Sequence, residues 1–180
     1  MIFQNTLLAN QSIGIGNYYQ GGYIVSFDLT TKQGLIVSPV DMTGSLCAWE
    51  NEPYQTISTT NTYGSGQTNT TNILASSSPT PAAELCDVYS NQGYNDWFLP
   101  NLNELKLVFT AYAQGKLSRA NIQPSVYWTS YSQGFNTAWF VDFAIPSSFA
   151  NNEGQAFRCC GTASPGPGLW VRACRYITFT

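Results

Sequence analysis

The side chains able to do covalent or metal chemistry are few in this 180-residue chain, and the first of them is missing. There is no histidine, which removes the commonest general base and the commonest metal ligand together and excludes Ser-His-Asp, Cys-His and His-zinc sites. The five cysteines, Cys47, Cys86, Cys159, Cys160 and Cys174, are odd in number and lack a CxxC spacing, which argues against a zinc ribbon. Only Arg158 adjoins the Cys159-Cys160 pair in sequence to favour a thiolate, so these two read as disulfide partners or buried thiols before they read as a redox centre. Carboxylates gather in Glu50-Asn51-Glu52 and Asn151-Asn152-Glu153. Such oxygens suit calcium, and a pair such as Glu50 and Glu52 is the raw material of a glycosidase, whose two carboxyls stand ~5–10 Å apart on a rigid site. A solvated polar loop explains both clusters equally well. The reading therefore assigns no catalytic residue, no metal ligand and no cofactor, with calcium as the alternative.

What the chain has in excess is binding chemistry. Aromatic residues make up 14% and charged residues only 9%, against a usual charged share of ~25%. Tyr, Trp, Asn, Ser, Thr and Gly give wide contact area and adaptable hydrogen bonds at low entropic cost. Lys and Arg number 7 against 10 Asp and Glu, for a net charge of −3, so no basic field exists to hold phosphate backbones or anionic lipid, and nucleic acid is not expected as a partner. No apolar run reaches the ~18 residues of a membrane span, and Met1 to Asn17 lack the features of a secretory signal. Three loop clusters combine rings with amides: Trp49, Tyr54 and Tyr63; Tyr131, Phe135 and Asn136; and Phe149, Asn151 and Asn152. Rings of this kind stack on sugar faces or enter protein pockets while amides fix orientation. The competing reading is that they anchor irregular loops to the core.

The elements that must position these loops follow from periodicity. Residues 1–19 read as a polar N-terminal arm and 20–180 as one domain. Gly22 to Phe27 and Leu35 to Ser38, around the polar Asp28 to Gly34, predict a β-hairpin. Cys47 to Ser78 reads as a long loop with a short helical turn near Asn69 to Leu74. Thr80-Pro81 announces a helix that should run to Asn91–Gly93. Asn101 with Glu104 three residues on forms a capping box for a second helix, whose inner face is Leu102, Leu105, Val108, Phe109 and Tyr112. Three strands follow, at 126–131, 137–143 and 169–176, with Ile145 to Gly168 as a long polar excursion before the last. The layout is α+β with mostly antiparallel pairing.

Several of these segments resemble one family. Gly93-Tyr-Asn-Asp-Trp-Phe-Leu-Pro-Asn-Leu-Asn-Glu-Leu105 is similar to the G-x-x-D-W-x-L-P-x-x-x-E-L hallmark of the C-terminal domain of a bacterial collagen-like adhesin (the Lcl C-terminal-like family). Tyr127-Trp-Thr-Ser130, Ala138-Trp-Phe-Val-Asp-Phe143 and Val171-Arg-Ala-Cys-Arg175 resemble three later motifs of that family in order, and Gly21-Gly-Tyr-Ile-Val25 its opening strand. The likeness spans about residues 20–178. It implies a C-type-lectin-like fold, related to formylglycine-generating enzymes and to phage tropism proteins, and a role as a binding module of adhesins or virions.

The residues fit that implication as scaffold. Arg172 and Arg175, three apart, point to opposite faces of a strand, and Asp96 is the natural partner for one of them, pinning its loop to the closing strand. Trp97, Trp128, Trp139 and Trp170 read as core. The expected function is attachment: a phage fibre, spike or head-decoration protein that recognises a cell-surface glycan or protein receptor, docks to other virion proteins through its arm, and assembles as a homo-oligomer, a trimer by analogy with fibres. A net charge of −3 favours a neutral ligand over a sulfated polysaccharide. A bacterial surface adhesin, a purely structural virion subunit and a formylglycine-generating-like oxidase are the alternatives.

Overall fold

The computed structural model describes residues 13–144, 152–158 and 168–179. Among the described residues two antiparallel sheets and three helices give an α+β fold, in line with the periodicity of the sequence. The first sheet has the order β1-β2-β3-β7. The expected hairpin forms it, with β2 (Gly22–Asp28) and β3 (Gln33–Val37) joined by a turn in which Asp28 Oδ1 accepts from Thr30 N at 2.7 Å. To one side lies β1 (Tyr18–Tyr19), paired with β2; to the other lies β7 (Cys174–Thr178), paired with β3. The second sheet is β4 (Val126–Ser132), β5 (Thr137–Asp142) and β6 (Glu153–Phe157) in sequence order.

The helices are α1 (Gly66–Leu74), α2 (Pro81–Asp87) and α3 (Leu102–Ala113). In α3 the capping box is complete: Asn101 accepts from Glu104 N, and the Glu104 carboxylate accepts from Asn101 N. Its inward face is the expected one, except that Tyr112 is half-buried. Hydrophobic side chains form two clusters. Val25, Leu35 and Val37 of the first sheet join Leu105, Val108 and Phe109 of α3, while Ile24, Ile36 and Ile177, their strand neighbours, join Trp49, Ile73 and Trp128. Alternation along each strand thus feeds two cores, one on each face of the sheet. Among the described residues no helix is long and apolar enough to cross a membrane.

Five local expectations are corrected. The N-terminal arm does not extend to residue 19: Ile13 and Ile15 pack on the core and β1 is a sheet strand, while residues 1–12 lie outside the described residues. Within 47–78 stands a nine-residue helix, α1, not a single turn; its buried side, Asn69, Thr70 and Ile73, is largely polar, which hides it from a hydrophobic count. Helix α2 stops at Asp87 because residues 91–94 fold into their own tight turn, with Asn91 and Tyr94 exchanging backbone bonds at 3.0 Å and Gln92 and Gly93 at φ 52° and 82°. The closing strand begins at Cys174, since Leu169 and Trp170 make only isolated bridges, to Cys47 and Tyr127. The excursion before it contains strand β6, which its polar composition concealed.

Candidate functional site

The strand register builds an open groove. Ser26, Leu35 and Tyr176 form one row across β2, β3 and β7, and Asp28, Gln33 and Thr178 form the row two residues further along. Side chains two apart share a face, so these rows present hydroxyls, an amide, a carboxylate and a phenol side by side. A register shift between Ile24 and Ser26 marks a bulge there. Such an extra residue re-aims the side chains beyond it, which lets Val25 reach the α3 core while Ser26, its neighbour, meets Tyr63. Tyr63 and Leu107 supply the opposite wall, and the enclosed volume is about 610 Å³, within the ~300–1,000 Å³ range of ligand sites.

Tyr63 is the sequence candidate that the structure places in this groove. It is 50% exposed, its hydroxyl lies 3.3 Å from Ser26 Oγ, and its ring meets that of Tyr176 edge-on at 6.4 Å. What holds its loop is Glu104. This fully buried carboxylate accepts from Gly64 N at 2.9 Å and Gly66 N at 3.3 Å, from Asn101 N at 2.9 Å, and from the Tyr176 hydroxyl. One side chain therefore joins α3, the 64–66 turn and the closing strand. Burial raises the Glu104 pKa against the pull of those donors, and burial with the adjacent Glu104 carboxylate raises that of Tyr176. A Cβ on Gly66 would run into the Glu104 carboxylate and lie 2.6 Å from the Phe98 ring, so the close approach requires glycine.

The other candidates fall elsewhere. Tyr54 and Phe135 come from different loops and meet edge-on at 6.4 Å, with Phe135 62% exposed, Asn136 beside it half-buried. Trp49 is corrected from surface to core: it is fully buried, donates from Nε1 to Thr129 O at 2.7 Å, and carries the Arg158 guanidinium over its ring at 4.5 Å. Tyr131 stacks on Trp139 at 6.0 Å and 20°, both half-buried. Asn152 is buried and its amide nitrogen has no partner among the described residues, so it too is interior. Phe149 and Asn151 lie outside the described residues, as do Cys159 and Cys160.

Four of the seven cations are spent on ion pairs within the fold. Arg175 pairs with Asp96 and lies over the Tyr94 ring at 3.9 Å, which is the expected pin between the Asp96 loop and the closing strand. Arg172 faces the other way, pairing with Asp41 at 2.7 Å and donating to Ser38 O and Ala120 O, each at 2.9 Å. Sequence reasoning missed the third pair. Arg158 and Glu50, both fully buried, meet at 2.5 Å, and Arg158 also donates to Gln55 O at 2.8 Å and to Ser132 Oγ. Glu50 therefore has a cation of its own, and its other oxygen accepts from Gln55 N and Ser76 Oγ; Glu153 pairs with Lys106. Among the described residues no three Asp, Glu or Cys side chains come together as a metal cluster. Trp97 and Trp128 are core, while Trp139 and Trp170 are half-buried against the α3 cluster.

Tyr176, Ser26, Gln33 and Thr178 were absent from the sequence candidates. Their signal was the period-2 pattern of β2, β3 and β7, which becomes a site only once β7 is known to pair with β3. Compared with protein-family models the chain matches none, and no curated protein matches it.

Proposed function

We propose that this chain is a non-enzymatic attachment module, a C-type-lectin-like domain of a phage virion that recognises a neutral glycan or a protein receptor on the host cell surface. The observation that carries the reading is the groove over β2, β3 and β7. It is open, has tyrosine rings on two sides and presents neutral donors and acceptors from Ser26, Gln33 and Thr178 beside the Asp28 carboxylate, with no cation in its lining. That combination suits a sugar ring or a polar peptide loop: rings supply contact area, and hydroxyls and amides read orientation. The buried acid nearest it, Glu104, is engaged by backbone and phenol donors, so it serves as a brace for the walls and has no assigned part in a reaction.

The family resemblance supports the same reading. The residues that carry it are each tied into the fold: Asp96 on Arg175, Trp97 in the core, Glu104 at the capping box, and Arg172 on Asp41. They act as one scaffold from which loops are displayed. On this reading the N-terminal arm docks the domain to other virion proteins and copies assemble as a homo-oligomer. The test is a glycan array probed with the purified chain and with Tyr63→Ala, with and without a calcium chelator. Saturable binding lost in the variant supports the groove; binding that Tyr63→Ala leaves intact overturns it, and loss on chelation restores calcium to the account.

A further inference from the structure

A second depression, of about 500 Å³, lies where three segments meet: Asn17, Tyr18, Tyr23, Lys116, Ser118 and Arg119 line it together with Gly16. Each wall is fastened. The 13–17 segment is laid on β2 by Gly16 N to Ile24 O at 2.8 Å and Ile24 N to Asn17 O at 2.9 Å. The turn after α3 is held by Lys116 N to Ala111 O at 3.0 Å, and the Tyr23 hydroxyl donates to Arg119 O at 3.1 Å. Tyr18 meets Tyr23 edge-on at 5.1 Å and accepts from Asn91 Nδ2 at 3.1 Å. Gly16 has φ +88°, and a Cβ there would fall into the Lys116 carbonyl, so the two segments touch only because the residue is glycine.

The charge distribution singles this notch out. Among the described residues Lys106, Arg158, Arg172 and Arg175 are each paired with an acid. Of the remaining cations, Lys32 sits alone on the β2–β3 turn, whereas Lys116 and Arg119 share one turn and line one depression that has no acid in its wall. Positive charge gathers here in a chain whose net charge is −3. Lys116, Ser118 and Arg119 are exposed residues of one turn that line the notch, and an ammonium, a hydroxyl and a guanidinium are the donor types a carboxylate takes. The Tyr18 and Tyr23 rings supply an apolar flank for the ring that bears it.

We propose that this notch binds the carboxylate of an acidic sugar, as a second subsite of the attachment module, independent of what the groove holds. The notch holds Lys116 and Arg119 and no acid, which favours a carboxylate over a neutral hydroxyl there. The test is a titration of the full chain with glucuronate, with glucose and with inorganic sulfate, read by amide shifts at Asn17, Ser118 and Arg119. Glucuronate gives saturable shifts there, about ten-fold weaker in Arg119→Gln, weaker also in the exposed Lys116→Gln, and unchanged in Tyr63→Ala. Glucose binding as well as glucuronate, sulfate binding as tightly, an absence of saturable shifts, or wild-type affinity in both charge variants each overturns the proposal. Because Tyr63→Ala reports on the groove alone, failure of the groove and failure of the notch are told apart.

Discussion

Arg158 and Glu50 offer the sharpest energetic prediction. Both side chains are fully buried and meet at 2.5 Å, and the guanidinium also holds the Gln55 carbonyl, the Ser132 hydroxyl and the face of Trp49. Arg158→Met leaves Glu50 Oε2 without its cation in a dry interior, while Oε1 keeps only Gln55 N at 3.2 Å and Ser76 Oγ at 3.1 Å. Stranding one partner of a buried pair costs about 3–5 kcal/mol. At roughly 2–4 °C per kcal/mol for a chain of this length, Tm falls by about 6–20 °C. Glu50→Leu, which strands the cation instead, falls in the same range. The double variant Glu50→Leu/Arg158→Met removes both charges and returns most of the loss, since a desolvated pair contributes little net stability over apolar groups of similar volume. Calorimetry on the four proteins closes the cycle. Single variants within about 1 kcal/mol of wild type, or a double variant equal to the sum of the singles, would refute the reasoning.

Two further predictions concern titration and reactivity, and the glucuronate titration above is a third. Burial raises the Glu104 carboxyl above its ordinary 4.5, so between that value and the folded one the native state binds more protons than the unfolded chain. Its stabilising share is complete below about pH 4.5 and is lost as pH rises through the folded value, so the Tm of wild type minus that of Glu104→Gln declines from pH 4 to 7; a flat or rising difference contradicts the assignment. Burial pushes the Cys47 thiol up to about 12 and raises Cys86 and Cys174 well above 9.0. Iodoacetamide at pH 7.5 therefore leaves these three unmodified in the native state and reacts with them on unfolding, as read by peptide mass mapping; native labelling of any of them would be the contrary result.

Local chemistry was legible wherever one segment decided it. The β2–β3 hairpin, the Asn101 and Glu104 capping box and strands β4 and β5 follow from turn residues, caps and alternation within a few positions. A pin from Asp96 to one of the two arginines near the closing strand was legible because charges are so scarce that a buried cation needs an identifiable acid; that the partner is Arg175 emerged only from the fold. Helix α1 and strand β6 were hidden because their inward sides are polar or their segments too rich in Asn, Gly and Ser to show a period. Trp49 misled for a related reason. It lies in a polar loop, and the loop is carried inside by the Arg158 and Glu50 pair, whose members are 108 residues apart. The groove itself depends on β7 lying beside β3 and on a bulge in β2, neither of which is written in any local pattern.

The central claim, recognition through the groove, is tested most directly by binding of the fluorescently labelled chain to intact bacterial cells of candidate hosts, comparing wild type with Tyr63→Ala. The ring is half exposed and its hydroxyl makes one side-chain contact, with Ser26, so the variant keeps its fold, and a circular dichroism melt verifies this. Loss of one stacking ring at a ligand site corresponds to ~1.5 kcal/mol and so to about ten-fold in affinity. Saturable binding of wild type, weakened about ten-fold or more in a folded Tyr63→Ala, is the predicted result. Equal binding by the two proteins, or saturable binding by neither, would contradict it.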